Sequence, residues 1–165
     1  MAEREPIQYC SSCGSKVEER QAFGQLRPVC SSCGRVHFLD PKVAAGVLLS
    51  EDHKILLVRR SVEPEIGKWT LPAGFVEGDE DPRETAVREC LEETGLDIAI
   101  DELLDVIHGR EHSSGASIVI IYTGKILGGQ LEAQDDVDAA MYFAVTDLPP
   151  LAFNATRVAI EGWQR

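Results

Sequence analysis

Two Cys-x2-Cys pairs, Cys10-Ser-Ser-Cys13-Gly14 and Cys30-Ser-Ser-Cys33-Gly34, repeat at an offset of twenty residues. Sixteen residues separate them, which is the spacing of a four-cysteine zinc site. Two thiolates two residues apart can turn onto one ion, and the glycine after each pair suits the tight turn that brings backbone N–H groups to the sulfurs. Cys10, Cys13, Cys30 and Cys33 would complete a closed tetrahedron with no open position for water, so the expected Zn²⁺ is structural. It would hold together a segment of ~40 residues that is too short to build a good core. Two disulfides are the alternative, disfavoured in a reducing compartment, and an iron centre also fits four thiolates. The fifth cysteine, Cys90, lies in a helical pattern beside Leu91 and reads as a small core residue.

A chain of 165 residues has room for one domain and one small module. Residues 1–40 show little helical periodicity, whereas short apolar runs separated by turn residues begin at Val43, which places the boundary near Asp40-Pro41. The expected domains are therefore 1–40 and 41–165. Strands are predicted at Val43–Leu49, Ile55–Arg59, Leu103–Ile107, Ser117–Ile126 and Met141–Val145, and helices at 82–94 and 154–163. Interleaved strands and helices predict an α/β fold, a mixed sheet with helices packed on it.

Twenty-eight acids against sixteen bases leave a net charge of −12. Such a chain repels nucleic-acid phosphates and anionic lipid, so neither nucleic acid nor membrane is an expected partner. No apolar run approaches the ~18 residues of a membrane span and MAEREPIQYC lacks the apolar core of a signal peptide, so the cytoplasm is the expected compartment. The first 40 residues are balanced, with five acids and five bases, and the excess lies beyond them. Between Gly74 and Asp105 stand twelve acids and two bases, Arg83 and Arg88.

Much of that charge falls on one helix. Asp81-Pro82-Arg83-Glu84 carries an N-cap, a proline at the first helical position and an acid in the first turn, and Gly95 supplies the stop. At ~100° per residue, Glu89, Glu92 and Glu93 share a face about 100° wide, with Val87 and Leu91 opposite and Cys90 on the flank. The helix is expected to bury the Val87/Leu91 side and present the carboxylates on the other. Arg88 sits four residues from both Glu84 and Glu92, where it can hold both. Like charges four residues apart cost a solvated face a few tenths of a kcal/mol, whereas clustered carboxylates are the oxygen ligands that Mg²⁺ or Mn²⁺ takes together with phosphate.

Upstream, Leu71-Pro-Ala-Gly74-Phe-Val-Glu77-Gly78-Asp-Glu80 is a turn-rich loop that delivers further acids. Together, Gly74-x5-Glu80-x7-Arg88-Glu89-x-x-Glu92-Glu93-x-Gly95-Leu96 resembles the full signature of the Nudix hydrolases, with all eight fixed positions matched. Cys90 stands where that signature allows a bulky aliphatic residue. The resemblance covers about residues 43–150 and implies a Nudix-like α/β/α sandwich with a mixed β-sheet. It also implies hydrolysis of the diphosphate in a nucleoside diphosphate linked to another group. By that likeness Glu89, Glu92 and Glu93 bind the catalytic Mg²⁺ or Mn²⁺, Glu77 adds a ligand, and Arg88 orients the helix carboxylates through Glu80. Some members take the general base from a loop acid before a late aromatic pair. Tyr142-Phe143 looks like that pair, which makes Asp136 the corresponding acid, with Asp135 and Asp138 nearby.

The run Arg27-Pro-Val-Cys30 to Lys42, followed by Gly67-Lys-Trp69-Thr-Leu-Pro-Ala-Gly74-Phe75, resembles Nudix proteins with an N-terminal zinc ribbon, similar to FAD or ADP-ribose pyrophosphatases. NADH is the runner-up substrate, because the Ser-Gln-Pro-Trp-Pro-Phe-Pro-x-Ser motif of NADH pyrophosphatases is absent from this chain. Four cysteines fill the tetrahedron without His37. Phe75, Arg60 and Phe153 are candidates for recognising the base. Implied partners are a small-molecule nucleotide substrate and a homodimer mate. A reading from a different class is a Nudix-fold module that binds a nucleotide as a regulator without turnover, the ribbon serving as a protein contact.

Overall fold

The run Val43 to Leu49 is half-buried or buried throughout, which is what a central strand covered on both faces requires. In the computed structural model, which describes residues 6–109, 111–112 and 115–165, this run is the centre of a mixed sheet. The chain divides into two compact units, a small one ending at Pro41 and a larger one, Lys42–Arg165.

The small unit holds an antiparallel pair, β1 (Val17–Ala22) and β2 (Gln25–Cys30), paired from Val17↔Cys30 to Ala22↔Gln25. Its buried side chains are Cys10, Val29, Cys30 and His37, and none belongs to a hydrophobic cluster. These strands escaped the sequence reading because a mostly exposed hairpin has no apolar alternation to detect.

The large unit runs β3 (Val43–Glu51), β4 (Lys54–Arg60), β5 (Trp69–Thr70), β6 (Ala73–Phe75), α1 (Pro82–Thr94), β7 (Leu96–His108), β8 (Ile118–Gly129), β9 (Val137–Ala144) and α2 (Asn154–Trp163). The sheet order is β5-β4-β3-β8-β7, with β6 paired to β3 and β9 to β4. β3 is parallel to β8 from Val43↔Ile118 to Leu49↔Gly124, and meets β4 only at Ser50↔Ile55 and Glu51↔Lys54.

Strand alternation sorts the core onto two faces. Leu48, Ile55 and Leu57 pack with Ala155, Ala159 and Ile160 of α2, whereas Val47, Leu49 and Leu56 pack with Cys90 of α1, and Ala45 packs with Ala86. The result is the expected α/β/α sandwich, and Cys90 is the core residue its pattern predicts. Among the described residues no helix is long and apolar enough to cross a membrane.

Both predicted helices stand at their predicted bounds. The Asp81 side chain accepts from the Arg83 N–H at 2.8 Å, and Gly95 ends α1 in the left-handed conformation, its N–H on the Leu91 carbonyl at 2.8 Å. β7 is longer than the predicted Leu103–Ile107, because register shifts at Asp97/Ile98, Ile100/Glu102 and Leu103/Asp105 rephase its alternation and hide its first half. β5 and β6 are too short to give any period.

The buried side of α1 also differs from expectation. Leu91 is exposed, while Ala86, Cys90, Glu93 and Thr94 are buried. β3, β6 and β7 pack against the stripe that contains Glu93, so the carboxylate face is turned partly into the protein.

Candidate active site

The loop between β6 and α1 is tied to the helix by one guanidinium. Arg88 Nε donates to Glu80 Oε1 at 2.7 Å and Nη2 to Glu80 Oε2 at 2.9 Å, a two-pronged pair. Nη1 donates to Glu89 Oε1 at 2.7 Å and to Glu92 Oε2 at 3.0 Å, and Nη2 reaches the Phe75 carbonyl at 3.3 Å. The Arg88 contact, helped by Thr85, holds the Glu80 carboxyl down at about 2. Glu84, the other acid expected beside Arg88, has no ion pair with it: Glu80, Glu89 and Glu92 occupy the donors instead.

Glu93 points inward. One of its oxygens accepts from the Ala73 N–H at 3.1 Å, and burial, followed by the charges of Asp136 and Glu89, pushes its pKa well above the usual carboxylate range. Burial also raises Glu89, against the pull of Arg88. Glu89 lies so close to β6 that a Cβ added at Gly74 would fall 2.0 Å from its carboxyl carbon, so a side chain there would displace the carboxylate.

Glu77, Glu89, Glu93, Asp135 and Asp136 line one cavity of about 580 Å³. Glu92 is not among its lining residues, and its side chain is 46% exposed. Asp136 precedes β9, with its carbonyl accepting from the Ser61 N–H at 2.9 Å and hydroxyl at 2.7 Å. Asp138 is drawn away to Arg59 at 2.6 Å. Tyr142 and Phe143 pack in the core clusters on opposite faces of the sheet, Phe143 at 4.7 Å from the Trp69 ring.

The same cavity is lined by Lys42, Arg60, Phe75, His112 and Phe153. All three residues named for base recognition therefore reach it. The buried hydroxyl pair Thr70 and Thr156, 2.9 Å apart in its wall, carries no sequence signal, since its members are 86 residues apart and come together only when α2 packs.

In the small unit the four cysteine sulfurs all lie within 4.8 Å of one another, with Cys10–Cys33 at 3.7 Å and Cys13–Cys30 at 3.5 Å. Disulfide sulfurs stand at ~2.05 Å, whereas a tetrahedron with Zn–S bonds of ~2.3 Å has edges of ~3.75 Å. The two knuckles repeat each other: the Gly14 N–H donates to the Cys10 carbonyl at 2.9 Å and the Gly34 N–H to the Cys30 carbonyl at 3.2 Å, while the Ser12 N–H approaches Cys10 Sγ and the Cys33 N–H approaches Cys30 Sγ, both at 3.4 Å. Gly14 and Gly34 turn the chain at φ +72° and +74°. Cys13 is held down at about 6, chiefly by the Ser15 N–H, while Cys33 stands at about 11, because the neighbouring Cys30 and Cys13 sulfurs outweigh the Arg35 N–H. A divalent cation among these sulfurs would balance the charge of the thiolates that bind it. The donor set therefore fits zinc. His37 is buried, is not in the cluster, and has no hydrogen-bond partner at Nε2.

A family model of the NUDIX domain matches residues 40–161. The chain belongs to the Nudix hydrolase family. Over 122 residues this Nudix hydrolase is 38% identical to an ADP-ribose pyrophosphatase of Methanocaldococcus jannaschii, covering 73% of this chain and 72% of that protein. It is 26% identical over 144 residues to the NAD-capped RNA hydrolase NudC of Pseudomonas aeruginosa, a match of 87% of this chain to only half of that protein. A solved NUDIX hydrolase from Nitrosomonas europaea superposes with a TM-score of 0.84 at 30% identity, covering 96% of this chain and 92% of that one.

The donor chemistry at the Nudix carboxylates also fits a divalent cation, since Glu89 and Glu93 place like charges in a partly desolvated wall. Among the described residues, however, no three carboxylates bring oxygens within 4.8 Å of one another, and Glu89 and Glu92 both accept from Arg88 Nη1.

Proposed function

We propose that this Nudix hydrolase is a metal-dependent pyrophosphohydrolase that splits ADP-ribose into AMP and ribose 5-phosphate. The observation that carries the reading is that one cavity gathers Glu77, Glu89, Glu93 and Asp136 with Arg60, Phe75 and Phe153. A diphosphate needs the first group and a nucleoside the second. ADP-ribose is favoured over FAD and NADH by the likeness to the Methanocaldococcus jannaschii pyrophosphatase, which is higher in identity and spans more of that relative than the likeness to NudC does of its own.

Glu89, Glu92 and Glu93, with Glu77, would hold Mg²⁺ or Mn²⁺. Bound there, the cation supplies charge neutralisation and Lewis-acid polarisation of the diphosphate oxygens. The chain's own residues do the rest. Arg88 fixes the Glu80, Glu89 and Glu92 carboxylates in one network, and the Ala73 N–H fixes Glu93. Asp136, which lines the cavity, accepts the proton of the attacking water. In the small unit, Cys10, Cys13, Cys30 and Cys33 hold a structural zinc.

The test is a panel of ADP-ribose, FAD, NADH, NAD-capped RNA and ATP, with Mg²⁺ present and chelated. ADP-ribose is expected to give the highest kcat/KM, with AMP and ribose 5-phosphate as products and no turnover after chelation. Another substrate better by tenfold, ~1.4 kcal/mol in transition-state preference, overturns the choice of ADP-ribose. Binding with no hydrolysis of any member of the panel would make the chain a nucleotide-binding module.

Gly74→Ala probes the close approach directly. The methyl group would meet the far end of a flexible Glu89 side chain, so the fold should survive while the carboxylate is displaced. Mn²⁺ affinity, read by paramagnetic resonance titration, is expected to fall roughly tenfold or more. Native Mn²⁺ affinity would remove Glu89 from the ligand set.

A further inference from the structure

Arg60 ends β4 where the register with β9 shifts, and its backbone is fixed by two hydrogen bonds: its N–H to the Lys68 carbonyl at 3.0 Å, and its carbonyl from the Gly67 N–H at 2.8 Å. Its guanidinium is fixed as well. Nε donates to the Pro64 carbonyl at 2.7 Å, and Nη2 reaches the carbonyls of Val62 and Glu63, both at 3.4 Å. One face of the group lies over the Phe153 ring, 5.3 Å from its centroid.

Phe153 is itself anchored. It is the N-cap residue of α2 yet supplies no capping side chain, and Glu111 Oε1 accepts the Asn154 N–H in its place at 2.8 Å. The His112 ring meets Phe153 edge-on at 6.0 Å and 76°.

A guanidinium grips phosphate through a free pair of edge donors. The Nε/Nη2 edge of Arg60 is engaged by backbone carbonyls and its central carbon lies over Phe153, so its π-surface beside that ring and the Nη1 end are what remain for the cavity that both residues line. Planar guanidinium faces stack on nucleobases. We infer that Arg60, backed by Phe153, is the plate on which the substrate's nucleobase stacks, and that it determines specificity without gripping phosphate. The inference rests on the reading of the cavity as a site for a nucleoside diphosphate linked to another group.

Adenosine and ribose 5-phosphate separate the two roles, since one carries the base without phosphate and the other phosphate without base. Both are titrated by calorimetry and ligand-observed NMR against the full chain and its Arg60→Lys variant, which keeps the charge and loses the plane. Native protein is expected to bind adenosine, and Arg60→Lys to weaken it by roughly fivefold or more while ribose 5-phosphate changes less than twofold. Phe153→Leu should weaken adenosine in the same direction, and KM for ADP-ribose should rise in Arg60→Lys by more than kcat falls. Three results overturn the inference: no adenosine binding by native protein, unchanged adenosine affinity in Arg60→Lys, or equal weakening of both ligands. If adenosine binds as expected but native protein releases no AMP from ADP-ribose, the plate stands and the proposed reaction fails.

Discussion

Glu93→Gln is expected to lower kcat by roughly two orders of magnitude or more, about 2.7 kcal/mol of transition-state stabilisation, while leaving the melting temperature of the metal-free protein unchanged or raised. The amide keeps the shape of the side chain and can still accept the Ala73 N–H, but it removes a charge that is buried beside Glu89 and Asp136. Loss of activity with retained stability separates a ligand from a structural residue. Glu92→Gln should lower kcat by a similar factor, with part of the loss recovered at high Mg²⁺, because Glu92 lies in a more exposed position on the Arg88 network. Asp136→Asn is the comparison: a large loss that persists at saturating Mg²⁺ is expected of the general base. Near-native kcat in both glutamine variants at limiting Mg²⁺ would remove both carboxylates from the set that holds the metal.

Purified protein is expected to carry about one zinc, and Cys30→Ser to unfold the small unit. With Cys10, Val29, Cys30 and His37 as its buried side chains, this unit has almost no apolar burial to set against its chain entropy, and Phe23, Leu26, Phe38 and Leu39 are exposed. Structural zinc supplies ~10–16 kcal/mol in comparable small modules, far more than such a core can. Amide exchange should show β1 and β2 losing protection in Cys30→Ser while β3 and α1 keep theirs, because the two pairs of elements belong to separate compact units. Elemental analysis that finds no metal in protein purified under reducing conditions, or a Cys30→Ser variant with native β1–β2 protection, would overturn the assignment.

The extent of α1 and the grouping of the four cysteines were legible in the sequence because a cap at Asp81, a stop at Gly95 and thiolates two residues apart act within one or two turns of chain. The α/β sandwich and the Glu80–Arg88 pairing came from the family resemblance, since spacing along the helix alone pointed Arg88 at Glu84 and Glu92. The tertiary structure decided which side of α1 is inside. Helical spacing placed Leu91 in the core and the carboxylates on the opposite face, yet β3, β6 and β7 cover the stripe with Ala86, Cys90 and Glu93, leaving Leu91 49% exposed. Packing also decided that Arg60 lies over Phe153 and that Thr70 meets Thr156, contacts made between residues 93 and 86 positions apart. Periodicity reports which residues share a face; only the neighbouring elements, brought there by the whole chain, decide what that face meets, and at this site that separates a solvated acid from a buried one.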